Sequence, residues 1–111
     1  MFKMIFVNLP IANLKKSVDF FSGLGFTFNP QFTDEESTCM LVGENIFVML
    51  IEHKKFSAFI DKPIADPKSS EAIIALACDS ADEVRSLAER AFANGARRIN
   101  DPEDLGFMFS W

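Results

Sequence analysis

Few side chains in this 111-residue chain have a type and spacing from which chemistry could be built. The single histidine, His53, stands between Glu52 and Lys54, directly after an apolar run. An imidazole beside a carboxylate has the proton affinity of a general base, and a lone histidine at a strand end is just as well a solvated surface group. Glu44 and Glu52 have no second carboxylate at a spacing that would pair an acid with a base. Cys39 and Cys78 lie inside apolar runs and share no metal-ligand spacing, which reads as two buried free thiols in a reducing compartment. The chain carries no Ser-His-Asp set, no phosphate-cradling glycine loop and no dinucleotide fingerprint. Asn8 is the one polar residue within an apolar run, and alternation places it on the same strand face as Met4 and Phe6. There it either satisfies a neighbouring backbone group or anchors a ligand by hydrogen bonds.

The elements that must position these groups follow from periodicity. Residues 2–9 predict a strand with both faces apolar, hence covered on both sides. Asn13 is a helix cap, with Leu14, Ser17, Val18 and Phe21 on one stripe and Gly25 as terminator, so a helix is expected over about 13–24. Strands are expected at Phe26–Phe32, Cys39–Val42 and Ile46–Glu52, the last two joined by a hairpin turn at residues 43–45. Residues 53–71 read as a connecting segment holding one short helical turn around the apolar island Phe56–Ile60. A strand at Ala72–Cys78 follows. Ser80 to Glu83 then forms a capping box, opening a helix over about 81–94 with Val84, Leu87, Ala88 and Ala91 inward and Gly95 at its end. Strands at Arg97–Asn100 and Phe107–Trp111 close the chain.

Leu14 and Val84, Val18 and Ala88, Phe21 and Ala91, and Gly25 and Gly95 are each 70 residues apart. Such a register argues for a duplicated unit. The expected fold class is therefore α+β, a single domain over 1–111. Module one spans about 1–53, a linker about 54–71 and module two about 72–111, the second module ending short of completion.

Composition bounds the function. A net charge of −5, with basic residues single or in isolated pairs and no basic stripe, argues against nucleic acid as a partner. Charged residues or asparagine interrupt every apolar run before the roughly 20 residues a bilayer needs, so no membrane partner is expected. MFKMIFVNLP is short and lacks a small-residue cleavage site, so no signal peptide is expected and the localisation reads as cytoplasmic. Thirteen Phe and one Trp are more ring than a small core holds, and the surplus is expected to line a cavity, cover an interface in a homodimer, or both.

The segments FVNLPIANLKKSVDFFSGLGFTFNPQFTDE, NIFVMLI, IALACDSADEVRSLAERAFANGA and DLGFMFSW together resemble the vicinal oxygen chelate superfamily, the group of glyoxalases, bleomycin-resistance proteins and extradiol dioxygenases. The resemblance implies two βαβββ modules forming a curved mixed sheet around a cup, the second lacking its last strand. Metal-dependent members hold a divalent ion there, and their ligand positions fall on Phe6, Met49 and Ile73, with a fourth beyond Trp111. Phenyl and alkyl groups offer no lone pair and a thioether suits soft ions, so no metal and no cofactor are expected. The implied function is binding of an apolar or aromatic small molecule in a cup lined by Met4, Phe6, Asn8, Met49, Ile73 and Ala75. The alternatives are a lyase or isomerase using Glu52 or His53, and a dimeric structural or regulatory domain without ligand.

Overall fold

The computed structural model describes residues 1–111 and divides into two compact units, Met1–Glu71 and Ala72–Trp111.

The first unit contains β1 (Ile5–Ile11), α1 (Leu14–Gly23), β2 (Thr27–Asn29), a 3-10 turn (Pro30–Phe32), β3 (Ser37–Gly43), β4 (Ile46–Glu52) and α2 (His53–Ser57). Its sheet has the order β1-β4-β3-β2, with β1 parallel to β4 and the other pairs antiparallel. One face carries the row Val7, Val48, Met40 and Phe28 across four strands, and Leu9, Leu50 and Thr38 across three. Phe21 of α1 and Phe26 pack on this face, where Leu50 is only 1% exposed. The expectation that β1 is covered on both sides is corrected: Phe6, on its other face, remains 46% exposed.

Several boundaries also move. β1 runs on through Pro10 to Ile11 instead of ending at Leu9. Ile5 donates its N–H to Asn45 O on the β4 side, so alternation turns the backbone nitrogen of Pro10 to the free edge, where a missing N–H breaks no ladder bond. The strand expected to run to Phe32 stops at Asn29, because Asn29 Oδ1 accepts from Gln31 N and Pro30 opens the 3-10 turn. β3 begins two residues early, at Ser37.

Helix α1 is held at both ends. Asn13 Oδ1 accepts from Lys16 N at 2.9 Å, as expected of the cap. A second cap comes from the far end of β4, where Glu52 Oε2 accepts from Leu14 N at 2.8 Å. At the C-terminus Phe26 N bonds Phe21 O and Gly25 N bonds Ser22 O, with Gly25 at φ 97°. This is a Schellman turn, and the rings of Phe21 and Phe26 meet edge-on above it with centroids 5.9 Å apart.

The second unit contains α3 (Ala81–Ala93), β5 (Glu103–Asp104) and β6 (Phe109–Ser110), the last two paired antiparallel. Glu83 N donates to Ser80 Oγ at 3.1 Å, and the Glu83 carboxylate reaches back to the N–H of Asp79. The helix ends as α1 does, with Ala96 N on Ala91 O, Gly95 N on Phe92 O and Gly95 at φ 103°. The strands are corrected. Residues 72–80 and 97–100 lie in no strand, and Phe107–Trp111 contributes only Phe109–Ser110, against an unexpected partner at Glu103–Asp104. Capped helices with glycine ends are what the two units have in common. Trp111 closes onto α3, its ring edge-on to Phe92 at 5.5 Å and beneath the guanidinium of Arg98. No helix is long and apolar enough to cross a membrane.

Glu52 ties the end of one strand to the start of a helix 38 residues earlier in the chain. Replacing it by Ala leaves the Leu14 N–H without that acceptor and is expected to lower stability by about 1–2 kcal/mol, read as a shift in the urea midpoint.

Candidate functional site

The face of the first sheet turned away from α1 carries the residues that alternation had grouped together. Phe6 pairs with Phe47 and Asn8 with Met49 along the parallel β1–β4 ladder. Cys39 on β3 stands opposite Met49, and Asn29 opposite Cys39. The rings of Phe6 and Phe47 stack with centroids 4.7 Å apart and planes inclined by 18°. Phe47 and Met49 are half-buried, while Asn8 is exposed. Met4 lies just before β1 and is exposed.

Asn8 does what the blander reading of it proposed. Its Nδ2 donates to the carbonyl of Phe6 at 3.2 Å, on its own strand. That bond fixes the side chain along the free edge of β1.

Ile51 shares this face but is 3% exposed, near its partner Ser37. Ser37 Oγ accepts from Lys55 Nζ at 2.9 Å, so α2 lies at this end of the face and closes it. Cys39 is buried and free, and burial pushes its thiol up. Cys78, in the second unit, is only half-buried; burial first, then the charges of Glu83 and Asp79, push its thiol up as well. A raised thiol is a poorer nucleophile at neutral pH, since less of it is thiolate. Ile73 and Ala75 belong to the second unit, in the segment that lies outside any strand, and Ile73 is 93% exposed.

The groups at the positions where metal-dependent relatives would hold an ion do not fit one. A phenyl ring at Phe6 and a thioether at Met49 give a hard or borderline divalent cation no oxygen or nitrogen. No three His, Cys, Asp or Glu side chains are grouped to hold a metal ion.

Glu52 and His53, the acid–base candidates, are placed differently from one another. The Glu52 carboxylate is engaged by the N-terminus of α1, and His53 opens α2 as an exposed residue.

A charged cluster that periodicity could not have found joins the loop before β3 to α2. Asp34 Oδ1 accepts from the N–H groups of Glu36 and Ser37 at 2.8 and 2.9 Å, and its Oδ2 is ion-paired with Lys55. A shallow open depression beside it is lined by Asp34, Glu35, Glu36, Lys54 and Lys55. The turn within it was readable, since Asp followed by Ser three residues on is a common Asx arrangement. Lys55 is 21 residues away and gave no local sign. Ser37 beside Lys55 superficially suggests a nucleophile and base, but Lys55 Nζ donates both to the Ser37 hydroxyl oxygen and to Asp34, so its contacts tie the loop to α2. The cluster is a structural clasp.

Residues 3–43, from just before β1 to the end of β3, match the family described as bleomycin resistance protein-like N-terminal. That family is part of the vicinal oxygen chelate superfamily. The whole chain is also similar to the solved structure of a hypothetical protein from S. aureus, at 26% sequence identity and a TM-score of 0.80, covering 98% of this chain and 82% of that one. No curated protein matches it.

The clasp carries a pH signature. The Lys55 ammonium, and then the Glu36 N–H, hold the Asp34 carboxyl at about 2, below its ordinary 3.8. A depressed acid stabilises the fold fully above its unfolded value and loses that contribution as pH falls through the folded one. Asp34→Asn is therefore expected to be less stable than wild type at neutral pH, with the difference shrinking between about pH 4 and pH 2. Urea midpoints across that range check it.

Proposed function

We propose that the chain binds an apolar or aromatic small molecule, without a divalent metal, on the face of its first sheet opposite α1. One observation carries this reading: a stacked pair of phenyl rings, Phe6 and Phe47, stands half-open on a sheet face flanked by the thioether of Met49 and the amide of Asn8. A flat ligand laid on these rings would lose water from both surfaces at about 25 cal/mol per Å² of apolar area buried. Offset stacking adds roughly 0.5–1.5 kcal/mol. Asn8 keeps Oδ1 as an acceptor while its Nδ2 is held by Phe6 O, so it favours a ligand with one donor at the rim of its ring.

The match of residues 3–43 to the bleomycin-resistance-like family supports the same direction, as likeness and not as proof of activity. Lyase or isomerase chemistry through Glu52 and His53 has less support, because capping α1 occupies the carboxylate that would orient the imidazole.

The test is a melting screen of indole, 1-naphthol and acridine beside zinc, nickel and manganese. An aromatic compound at ten times its Kd adds about 1.4 kcal/mol, which raises Tm by several degrees for a domain of this size. Phe6→Ala is expected to abolish most of that rise, and Asn8→Ala to weaken it for indole and 1-naphthol only. Near-stoichiometric stabilisation by any of the metals would defeat the metal-free part of the reading. Hits indifferent to both substitutions would place the ligand elsewhere.

A further inference from the structure

We propose that Asn94 is a self-modification site, whose side-chain amide is lost to attack by the Gly95 nitrogen when the last turn of α3 opens, and that the change releases Trp111 from the helix. Of the six asparagines in the chain, only Asn94 precedes glycine. Glycine lacks the Cβ that would crowd its nitrogen in an attack on the preceding side chain. The step balances within the chain and water. The Gly95 nitrogen bonds Asn94 Cγ, the Cγ–Nδ2 bond breaks, and Nδ2 leaves as ammonia with the Gly95 proton. Water then opens the cyclic imide, at Cγ to give aspartate or at the backbone carbonyl to give isoaspartate.

The folded helix end holds this reaction back. Gly95 N donates to Phe92 O at 3.1 Å, and Asn94 Nδ2 donates to Arg90 O at 2.8 Å. A ψ of 11° at Asn94 keeps the Gly95 nitrogen away from the side chain. Turning that nitrogen toward Cγ breaks its bond to Phe92 O and the bond of Ala96 N to Ala91 O. Within their unit both residues are exposed, and a Cβ on Gly95 would meet nothing within 4 Å, so no packing resists the turn. Helix ends open at the least cost in free energy.

The product alters the fold around it. An amide that donated to Arg90 O becomes a carboxylate that cannot, set against the negative end of the helix. Isoaspartate also lengthens the backbone by a methylene inside the turn. Phe92, whose carbonyl closes that turn, carries the ring on which Trp111 packs edge-on at 5.5 Å. Opening at Asn94 and release of Trp111 are thus coupled, and the coupling runs both ways.

The site stands apart from the ligand reading, and its test contains no ligand. The full chain is held at mildly alkaline pH, folded and in urea, and the peptide holding Asn94 is followed by mass spectrometry as amide becomes acid. Conversion should be between about threefold and a hundredfold slower folded than in urea. Trp111 is the only tryptophan and there is no tyrosine, so its emission should move to the red in step with conversion. Trp111→Leu should raise the folded rate at least twofold and leave the urea rate unchanged. Asn94→Gln, which would have to close a larger ring, should show neither conversion nor red shift. A folded rate equal to the urea rate overturns the proposal, and so does a greater retardation, which would mean that only global unfolding exposes the bond. A folded rate that Trp111→Leu leaves unchanged overturns the coupling. Should that variant unfold, the wild-type emission decides: conversion without a red shift overturns it too.

Discussion

Seven consecutive parallel pairs between Ile5–Ile11 and Ile46–Glu52 are the constraint on which the first unit depends. Parallel neighbours cannot be joined by a tight turn, so the chain must leave β1, cross over and return. It crosses through α1, comes back down β2 and β3 as antiparallel neighbours, and delivers β4 into the gap beside β1. The register then decides the rest. Val7 meets Val48, which meets Met40, which meets Phe28, and this row is the floor on which Phe21 sits. A slip of one residue would turn that row to the open face and bring Phe6, Asn8 and Met49 underneath the helix.

Where a residue's structure follows from its own neighbours in sequence, the sequence was legible. Asn13 and Ser80 cap the helices they precede, Gly25 and Gly95 end them, and the apolar stripes of α1 and α3 are half-buried. The hairpin between β3 and β4 was equally plain. Strands that depend on a partner were not. Ala72–Cys78 is apolar enough for a strand, yet a strand exists only where a ladder forms, and apolarity names no partner. Pro10 misled in the opposite sense, because a proline ends a strand only if its nitrogen faces a neighbour.

The candidate face was legible to the extent that alternation is. Met4, Phe6 and Asn8 were grouped from one strand, Phe47, Met49 and Ile51 from another. The structure adds their registration, with Phe6 on Phe47 and Asn8 beside Met49. Burial divided what alternation could not: Ile51 is closed in beneath α2's end of the face, while Phe6 stays open. The Asp34 and Lys55 clasp and the reach of Glu52 to Leu14 were invisible, since each joins residues that only the folded topology brings together.

The parallel ladder also sets a timetable for a newly made chain. Ile5 and Ile46 are partners 41 residues apart, so β1 leaves the ribosome well before the strand that completes it. At ~5–20 residues per second that interval is roughly 2–8 s, long beside the microseconds in which α1 can form. During it, IFVNLPI has no partner on either edge and little charge to keep it apart from other apolar segments. The nascent chain therefore passes through a stage in which its first strand is made but has no ladder to join, and the sheet can close only once β4 emerges.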